Sequence, residues 1–192
     1  MPLHVALIQP QIPPNTGNIA RLCAATDTSL HLIEPLGFTI DDSSLRRAGL
    51  DYWDAVDLWI HPNWFAFRDA MDRGRCLYFS AKAQQSYWDA PYKPNSCLVF
   101  GSETEGMPQR ILEKHPERCF TIPMYGPVRS LNLANAVSIV LYEAIRQVGH
   151  SPDSGVLSRE SRTSGRAAEV PTGDPDSIDG VPPANENVAP DS

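Results

Sequence analysis

Short apolar runs alternate with helical patterns through the first 150 residues, and this alternation limits the fold more than any other feature of the sequence. The apolar runs are nearly continuous, which is typical of strands buried on both faces of a parallel sheet. We predict strands at 4–9, 30–35, 56–60, 75–80, 96–101 and 118–123, and helices at 16–27, 63–73, 107–114 and 132–148. Strands and helices in alternation predict an α/β fold with a mostly parallel sheet flanked by helices.

The composition changes near residue 150, where a segment rich in Pro, Gly and acidic residues and without aromatic residues begins. Residues 151–192 carry −5 of the formal net charge of −7, so residues 1–150 carry only −2. Such a segment buries too little apolar surface to offset the entropy that it would lose on ordering. We therefore predict one folded domain at 1–150 and a disordered acidic tail at 151–192, with a partner-binding arm as the alternative for the tail.

The four cysteines, Cys23, Cys76, Cys97 and Cys119, form no CxxC pair, and no histidine stands at ligand spacing from them. We interpret them as small buried apolar residues of a reducing compartment rather than as metal ligands or disulfides. The N-terminal stretch lacks the pattern of a secretory leader, and no apolar run reaches the ~20 residues of a membrane span. These features predict a soluble cytoplasmic protein without a metal site.

The first polar loop, QPQIPPNTGNIARLC, follows the first predicted strand. In open α/β sheets ligands bind beyond the carboxyl ends of the strands, so this loop is a candidate for the site. Asn15, Thr16 or Asn18 could cap the helix that follows. Gly17 permits close approach of a ligand, and Arg21 lies about one turn into the helix. The loop lacks the GxGxxG and GK[ST] patterns, and spacing alone leaves capping plus a surface arginine as the alternative.

The second polar loop, VFGSETEG, follows a buried apolar run. Glu103 and Glu105 stand between Gly101 and Gly106 in this loop. Glycines around acidic residues at a strand end suit a loop whose backbone approaches a ligand. A simple turn is the alternative interpretation of the same pattern.

The third polar loop, IPMYGPVRSLN, leads into a helix whose polar start exceeds what capping requires. A buried helical stripe is predicted by the spacing of Leu133, Ala136, Val137, Val140, Leu141 and Ala144. Ser130 can serve as the N-cap, yet Arg129, Asn132 and Asn135 are present as well. A helix N-terminus has unpaired N–H groups and the positive end of the dipole. The surplus of polar residues therefore indicates a site for a carboxylate or a phosphate.

Together the three loops resemble the motifs of the SPOUT superfamily of knotted RNA methyltransferases. NTGNIARLC is similar to the first motif, LVFGSETEG to the second and IPMYGPVRSLNLANAV to the third, and the likeness spans residues 3–148. LRRAGLDYWD, at 45–54, is most similar to the tRNA (cytidine/uridine-34)-2′-O-methyltransferases of that superfamily. The resemblance implies a SPOUT-type fold with a C-terminal deep trefoil knot, S-adenosylmethionine as the methyl donor, and a homodimer. The implied substrate is the wobble ribose in the anticodon loop of leucine tRNAs.

The resemblance also implies roles for individual residues by their motif positions. The cofactor contacts that it implies are Phe79, Gly101, Ile122 and Ser130. The catalytic residues that it implies are Arg21 and Asn132, and the RNA contacts are Asn15, Arg46, Arg47 and Arg129. Because a guanidinium stays protonated, we expect Arg21 to hold a phosphate and stabilise charge, with proton abstraction as the alternative. Asn15, Glu103 and Asn132 are expected to orient Arg21 or the ribose. For Arg46 and Arg47 a solvated surface is the alternative.

Two other functions stay open from the sequence. One is a 2′-O-methyltransferase for a different RNA position, and the other is a non-catalytic RNA-binding homodimer of the same fold. The polar residues of the three motifs favour an enzyme over a binding module.

Overall fold

The six apolar runs and one further short strand form a seven-stranded parallel sheet with helices on both faces in a computed structural model, which describes residues 3–40 and 55–149. The strands are β1 (His4–Ile8), β2 (Ser29–Ile33), β3 (Leu58–His61), β4 (Cys76–Phe79), β5 (Gln85–Ser86), β6 (Cys97–Phe100) and β7 (Cys119–Thr121). The helices are α1 (Pro13–Ala25), α2 (Trp64–Ala70), α3 (Gln109–Lys114) and α4 (Leu133–Val148). The strands lie in the order β3-β2-β1-β6-β4-β7-β5. The predicted α/β class with a parallel sheet is confirmed.

The core has two halves because successive strand residues point to opposite faces of the sheet. Val5 and Leu7 of β1 belong to the half that α1 and α4 cover. Ala6 and Ile8 belong to the other half, which α2 and α3 cover. Since both faces of the central strands are buried, their sequences read as continuous apolar runs rather than as an alternation.

Helix α1 begins three residues before its predicted start, because Pro13 and Pro14 occupy its first turn. Prolines have no N–H, and the N–H groups of Asn15 and Thr16 already bond to the Ile12 carbonyl at 3.0 and 3.3 Å. The first turn therefore has no donor left for a side-chain cap. The prediction of a cap is wrong for all three candidates, Asn15, Thr16 and Asn18, which lie inside the helix.

Helix α4 begins at Leu133, and its N-cap is Asn132. The Asn132 side-chain oxygen accepts hydrogen bonds from the N–H groups of Ala134 and Asn135, at 2.9 and 3.4 Å. The prediction that Ser130 caps this helix is wrong, because Ser130 lies two residues earlier and is exposed. The predicted stripe is fully buried at Val137, Val140, Leu141 and Ala144 and half-buried at Leu133 and Ala136.

The remaining predicted elements are shorter than their patterns suggested. The predicted helix at 63–73 is α2, which Asn63 caps by accepting from the N–H groups of Phe65 and Ala66 at 2.9 Å each. Strand β5 has two residues, too few to produce an apolar run, and the sequence did not predict it. Within 3–40 and 55–149, no helix is long and apolar enough to cross a membrane. The tail at 151–192, Arg46 and Arg47 lie outside the described residues.

Candidate active site

The first two polar loops meet at the carboxyl edge of the sheet, because β1 and β6 are neighbours. The carboxylate of Glu103, from the loop after β6, accepts three hydrogen bonds from the loop after β1. The donors are the backbone N–H groups of Gln11 and Ile12, at 2.8 and 3.3 Å, and the side-chain amide of Asn15, at 2.9 Å. The carboxylate thus lies beside the N-terminus of α1, where the helix dipole favours a negative charge.

The third loop joins the same set of hydrogen bonds through Asn132. The Asn132 side-chain N–H donates to the side-chain oxygen of Asn15 at 2.9 Å. The oxygen of the same Asn132 amide caps α4, and the Asn15 amide donates in turn to Glu103. The hydrogen bonds of the two amides therefore run in one direction, from α4 through Asn132 and Asn15 to Glu103. Aligned hydrogen bonds of this kind polarise one another, which stiffens the set. We call these three residues the Glu103–Asn15–Asn132 network.

The network explains why Asn15 is a buried polar residue. Its side chain is 5% exposed, and its amide both donates and accepts within the network. A buried amide without such partners would cost about 1–3 kcal/mol. Asn15, Glu103 and Asn132 are therefore joined directly, with Glu103 as the hub, and their predicted role of orienting Arg21 or the ribose stays a prediction.

Gly101 is required by the loop that carries Glu103. A Cβ placed on Gly101 would lie 2.1 Å from the backbone carbonyl carbon of Gly106 and 2.3 Å from the Met107 nitrogen. The loop is closed by a hydrogen bond from the Gly106 N–H to the Ser102 carbonyl at 2.9 Å, and Gly106 adopts a φ of +70°. The alternative of a tight turn is therefore found at Gly101, and the approach of a ligand to this loop stays a prediction.

Three of the predicted cofactor contacts lie at the carboxyl ends of neighbouring strands. Phe79 ends β4, Gly101 follows β6 and Ile122 follows β7, and β4 pairs with both other strands. Ile122 is half-buried against the core, whereas Ser130 is exposed in the same connection to α4. Apolar surface beside backbone groups at strand ends suits the flat base and the polar ribose of a nucleoside. The Phe79 ring is buried in the core, so the features that fit a nucleoside such as adenosine are the backbone groups at the three strand ends and the half-buried Ile122 beside them.

Arg21 lies on a different side of α1 from the network. It is more than two turns into the helix, rather than the predicted one, and it is exposed. It follows Asn15 by six residues, which corresponds to about 9 Å along the axis and about 120° around it. Asn15 faces the protein interior, whereas Arg21 faces outward, as does Arg129 in the loop before α4.

A second polar cluster lies on the sheet face that α2 covers. His31 of β2 exchanges hydrogen bonds with His4 of β1 and with His61 of β3, each at 3.0 Å between ring nitrogens. The rings of His31 and His61 pack against Phe67, and His31 also stacks on Trp59 with 6.1 Å between centroids. We call these three residues the His4–His31–His61 array.

Burial controls the charge of the histidine array. Burial, reinforced by the neighbouring His4 and His61, lowers the pKa of His31 to about 3. Burial likewise lowers the pKa of His61, and burial together with Arg75 lowers that of His4. Asp57, which accepts hydrogen bonds from Ser29 and Trp59, opposes the lowering of the pKa of His4 and of His31 without reversing it. The array is therefore neutral near pH 7. Across 3–40 and 55–149, no group of three or more side chains could hold a metal ion.

Sequence reasoning missed the central position of Glu103 and the whole histidine array. The signal for Glu103 was present, because it follows Gly101 by two residues at a strand end. The histidines stand 27 and 30 residues apart in the sequence, and only the pairing of β1, β2 and β3 brings them together.

The parallel sheet and the three tied loops at its carboxyl edge define an α/β protein whose candidate ligand site lies at the strand ends. The chain belongs to the SpoU rRNA methylase family, whose model matches residues 2–142. The predicted resemblance is therefore confirmed at the level of the family.

Relatives with named activities are similar over most of their length. The chain is 47% identical over 149 residues to a tRNA (cytidine(34)-2′-O)-methyltransferase of Burkholderia ambifaria, covering 76% of this chain and 96% of that protein. It is 47% identical over 164 residues to one of Yersinia pestis, covering 82% and 99%. A solved structure described as giving insights into the 2-OH methylation of C/U34 on tRNA is 49% identical, with a TM-score of 0.71 over 76% of this chain and 95% of that one.

A more distant likeness includes a bound cofactor. The methyltransferase AviRb of Streptomyces viridochromogenes, solved in complex with AdoMet, has a TM-score of 0.65 and 25% identity. The match covers 76% of this chain and 57% of that one.

Proposed function

We propose that this protein is an S-adenosylmethionine-dependent tRNA methyltransferase that methylates the 2′-hydroxyl of nucleotide 34, a cytidine or modified uridine, in leucine tRNAs. The observation that carries the proposal is the Glu103–Asn15–Asn132 network, which ties all three motif loops together at the strand ends. The relatives named for C34 methylation, which align over nearly their whole length, support the choice of nucleotide.

The cofactor site consists of strand ends and loop backbone. Phe79, Gly101, Ile122 and Ser130 are the residues that would hold the cofactor. S-adenosylmethionine, when bound, supplies a methyl group activated by its sulfonium. The AdoMet-bound neighbour of the same fold supports this choice of ligand.

The chain's own contribution to the reaction is placement and charge. Holding the ribose hydroxyl in line with a reactive group can supply about 7–11 kcal/mol of the barrier. We assign this placement to the network, in which Asn132 acts by holding Asn15 and the start of α4. Asn132 is thus a positioning residue rather than a proton acceptor, since an amide does not titrate near neutral pH.

Arg21 is the residue that we propose contacts the reacting nucleotide. A guanidinium offers five donors in a planar fork that matches a phosphate, and it stays protonated. It can therefore hold the phosphate beside nucleotide 34 and stabilise the negative charge that develops at the 2′-oxygen. Arg46, Arg47 and Arg129 would add phosphate contacts, so affinity for RNA should fall steeply as salt rises.

We also propose that the chain is a homodimer in the cytoplasm and that its C-terminal part forms a deep trefoil knot. The outer face of α4 supports the dimer, because Ile139 and Tyr142 are 38% and 57% exposed there. The knot is supported by the path that the sheet order requires. In the sheet order, β7 lies three places from β1. The segment that follows β7 nevertheless returns to the helix that follows β1, because Asn132 bonds to Asn15 there.

A second candidate function is 2′-O-methylation at another RNA position. It is supported by a structural neighbour from Sinorhizobium meliloti, an AdoMet-bound rRNA methyltransferase with 25% identity and a TM-score of 0.67. The greater identity to the relatives named for C34 favours the wobble position.

The proposal is tested by transferring a labelled methyl group from S-adenosylmethionine to total tRNA and mapping the modified nucleotide. We expect label at nucleotide 34 of leucine tRNAs. Arg21→Ala should bind the cofactor normally in calorimetry and lose methyl transfer, whereas Arg110→Ala, which removes an exposed arginine of α3, should transfer at the wild-type rate. Label at another position would replace the proposal with the second candidate. Cofactor binding without any transfer would favour a non-catalytic RNA-binding protein.

A further inference from the structure

The connection from β7 to α4 carries an aromatic ring that the folded chain leaves almost uncovered. Tyr125 is 89% exposed, whereas Phe65, the next most exposed large apolar residue in the described part of the chain, is 61% exposed. Phe65 also has a neighbour, since the Arg68 guanidinium lies 5.7 Å from its ring centre. The space beside Tyr125 is open as well, because a Cβ placed on Gly126 would meet no atom within 4 Å.

The position of this ring relative to the candidate site is limited by chain length. Tyr125 follows Ile122 by three residues and precedes Arg129 by four. A fully extended chain covers at most about 3.6 Å per residue, so Tyr125 lies within about 11 Å of Ile122 and about 15 Å of Arg129. The anchors of the connection are fixed, since Ile122 packs on the core and Asn132 bonds to Asn15. The ring is thus held close to the site rather than free to move away.

An exposed aromatic ring in the same loop as a cation is an arrangement typical of sites that bind single-stranded RNA. Single-stranded loops are recognised mainly by bases that leave the stack and lie on aromatic side chains, and every base offers such a face. Methyl transfer to a ribose in a loop requires that its nucleotide be held away from its neighbours. A ring near the reacting ribose, with Arg129 for a phosphate, supplies both contacts.

We propose that Tyr125 stacks on a base of the single-stranded loop of the RNA substrate, beside the methylated ribose, and so sets affinity for RNA. This inference rests on the proposed function for the choice of RNA as the ligand. The contact uses the ring face of Tyr125 and not its hydroxyl. It uses none of the four predicted cofactor contacts, so we expect its loss to weaken RNA binding and to leave cofactor binding unchanged.

The test compares Tyr125→Ala and Tyr125→Phe with Phe65→Ala, which removes a similarly exposed ring from α2. The probe is a synthetic anticodon stem-loop of a leucine tRNA, measured both for binding and for methyl transfer. Loss of one stacked base should weaken binding about tenfold and raise KM for the stem-loop by a similar factor. Tyr125→Phe keeps the ring and should stay within about twofold of the wild type, as should Phe65→Ala.

The readouts separate this inference from the proposed function. If the wild type binds the stem-loop but transfers no methyl group, the proposed function fails. The stacking contact is still supported in that case if Tyr125→Ala binds the stem-loop more weakly and Tyr125→Phe and Phe65→Ala do not. If Tyr125→Ala binds and methylates like the wild type, the stacking contact is wrong and the proposed function stands. Dissociation of Tyr125→Ala into monomers in sedimentation would assign the ring to an interface between two copies and overturn the proposal. Equal losses of stem-loop binding in Tyr125→Ala and Phe65→Ala would also overturn it.

Discussion

The Glu103–Asn15–Asn132 network and the His4–His31–His61 array are both sets of three hydrogen-bonded side chains, but the two sets differ in how their hydrogen-bonding groups respond to protonation. Each joins three segments that are distant in sequence by hydrogen bonds of about 3 Å between side chains. The network consists of two amides and a carboxylate at the carboxyl edge of the sheet. The array consists of titratable rings under α2. Amides keep the same donors and acceptors at every ordinary pH, whereas a histidine that gains a proton loses its acceptor.

This difference suits each cluster to a different purpose. The two amides of the network keep the same donors and acceptors over the ordinary pH range, which suits a site that must hold a ribose and a methyl donor in line. The array has no such task, because its rings face the core half that α2 and α3 cover, opposite α1 and α4. We therefore expect changes in the network to reduce activity and changes in the array to reduce stability.

The largest effect is expected from Gly101→Ala, which tests whether the loop that carries Glu103 tolerates any movement. The added Cβ would lie 2.1 Å from the Gly106 backbone, so the loop must shift. We expect the free energy of unfolding to fall by about 3 kcal/mol, at the upper end for overpacking. Gly126→Ala is the matched control, since open space surrounds that position, and it should change stability by less than about 0.5 kcal/mol. Equal stability of the two variants in urea unfolding would show that the loop is not tightly closed.

The next effect is expected from Glu103→Gln, which removes the centre of the network while keeping its size. One amide oxygen cannot accept all three N–H groups that the carboxylate accepts, and the new NH₂ group would face donors. We expect the single-turnover rate of methyl transfer to fall at least about a hundredfold, which is about 2.7 kcal/mol. Glu105→Gln removes the same charge from an exposed position of the same loop and should keep the wild-type rate. A rate loss in both variants would point to loop charge rather than to the network.

The smallest effect is expected from a change of pH, which should alter the free energy of unfolding through the His4–His31–His61 array. The pKa of His31 is about 3 in the folded chain and about 6.5 when unfolded, so the unfolded chain binds more protons between these values. The stability contributed by a neutral His31 is fully present above pH 7 and decreases as the pH falls below about 6.5. Between pH 8 and pH 5 we expect a loss of about 2 kcal/mol from this residue. His31→Gln should remove most of that dependence in urea unfolding. An unchanged slope in the variant would show that the array does not control the response to acid.

The sequence predicted the sheet and the convergence of the loops, because buried parallel strands leave continuous apolar runs and ligand loops follow strand ends. The predicted start of α1 was three residues late, although Pro13 and Pro14 are the sequence signal for a helix that begins before Asn15. The sequence pattern assigned the N-cap of α4 to Ser130 rather than to Asn132. Both residue types are good N-caps, and only the folded structure, in which Asn132 also bonds to Asn15, distinguishes them. The histidine array depends on strand order, which local patterns do not contain.

The central claim is that the network serves catalysis and the array serves stability. The most direct test measures, at pH 8, both the single-turnover methyl-transfer rate and the free energy of unfolding for Glu103→Gln and His31→Gln. The account predicts that Glu103→Gln loses at least about a hundredfold in rate while remaining folded, and that His31→Gln loses about 1–2 kcal/mol of stability with a rate within about threefold of the wild type. A wild-type rate in Glu103→Gln, or an equal loss of rate in both variants, would contradict it.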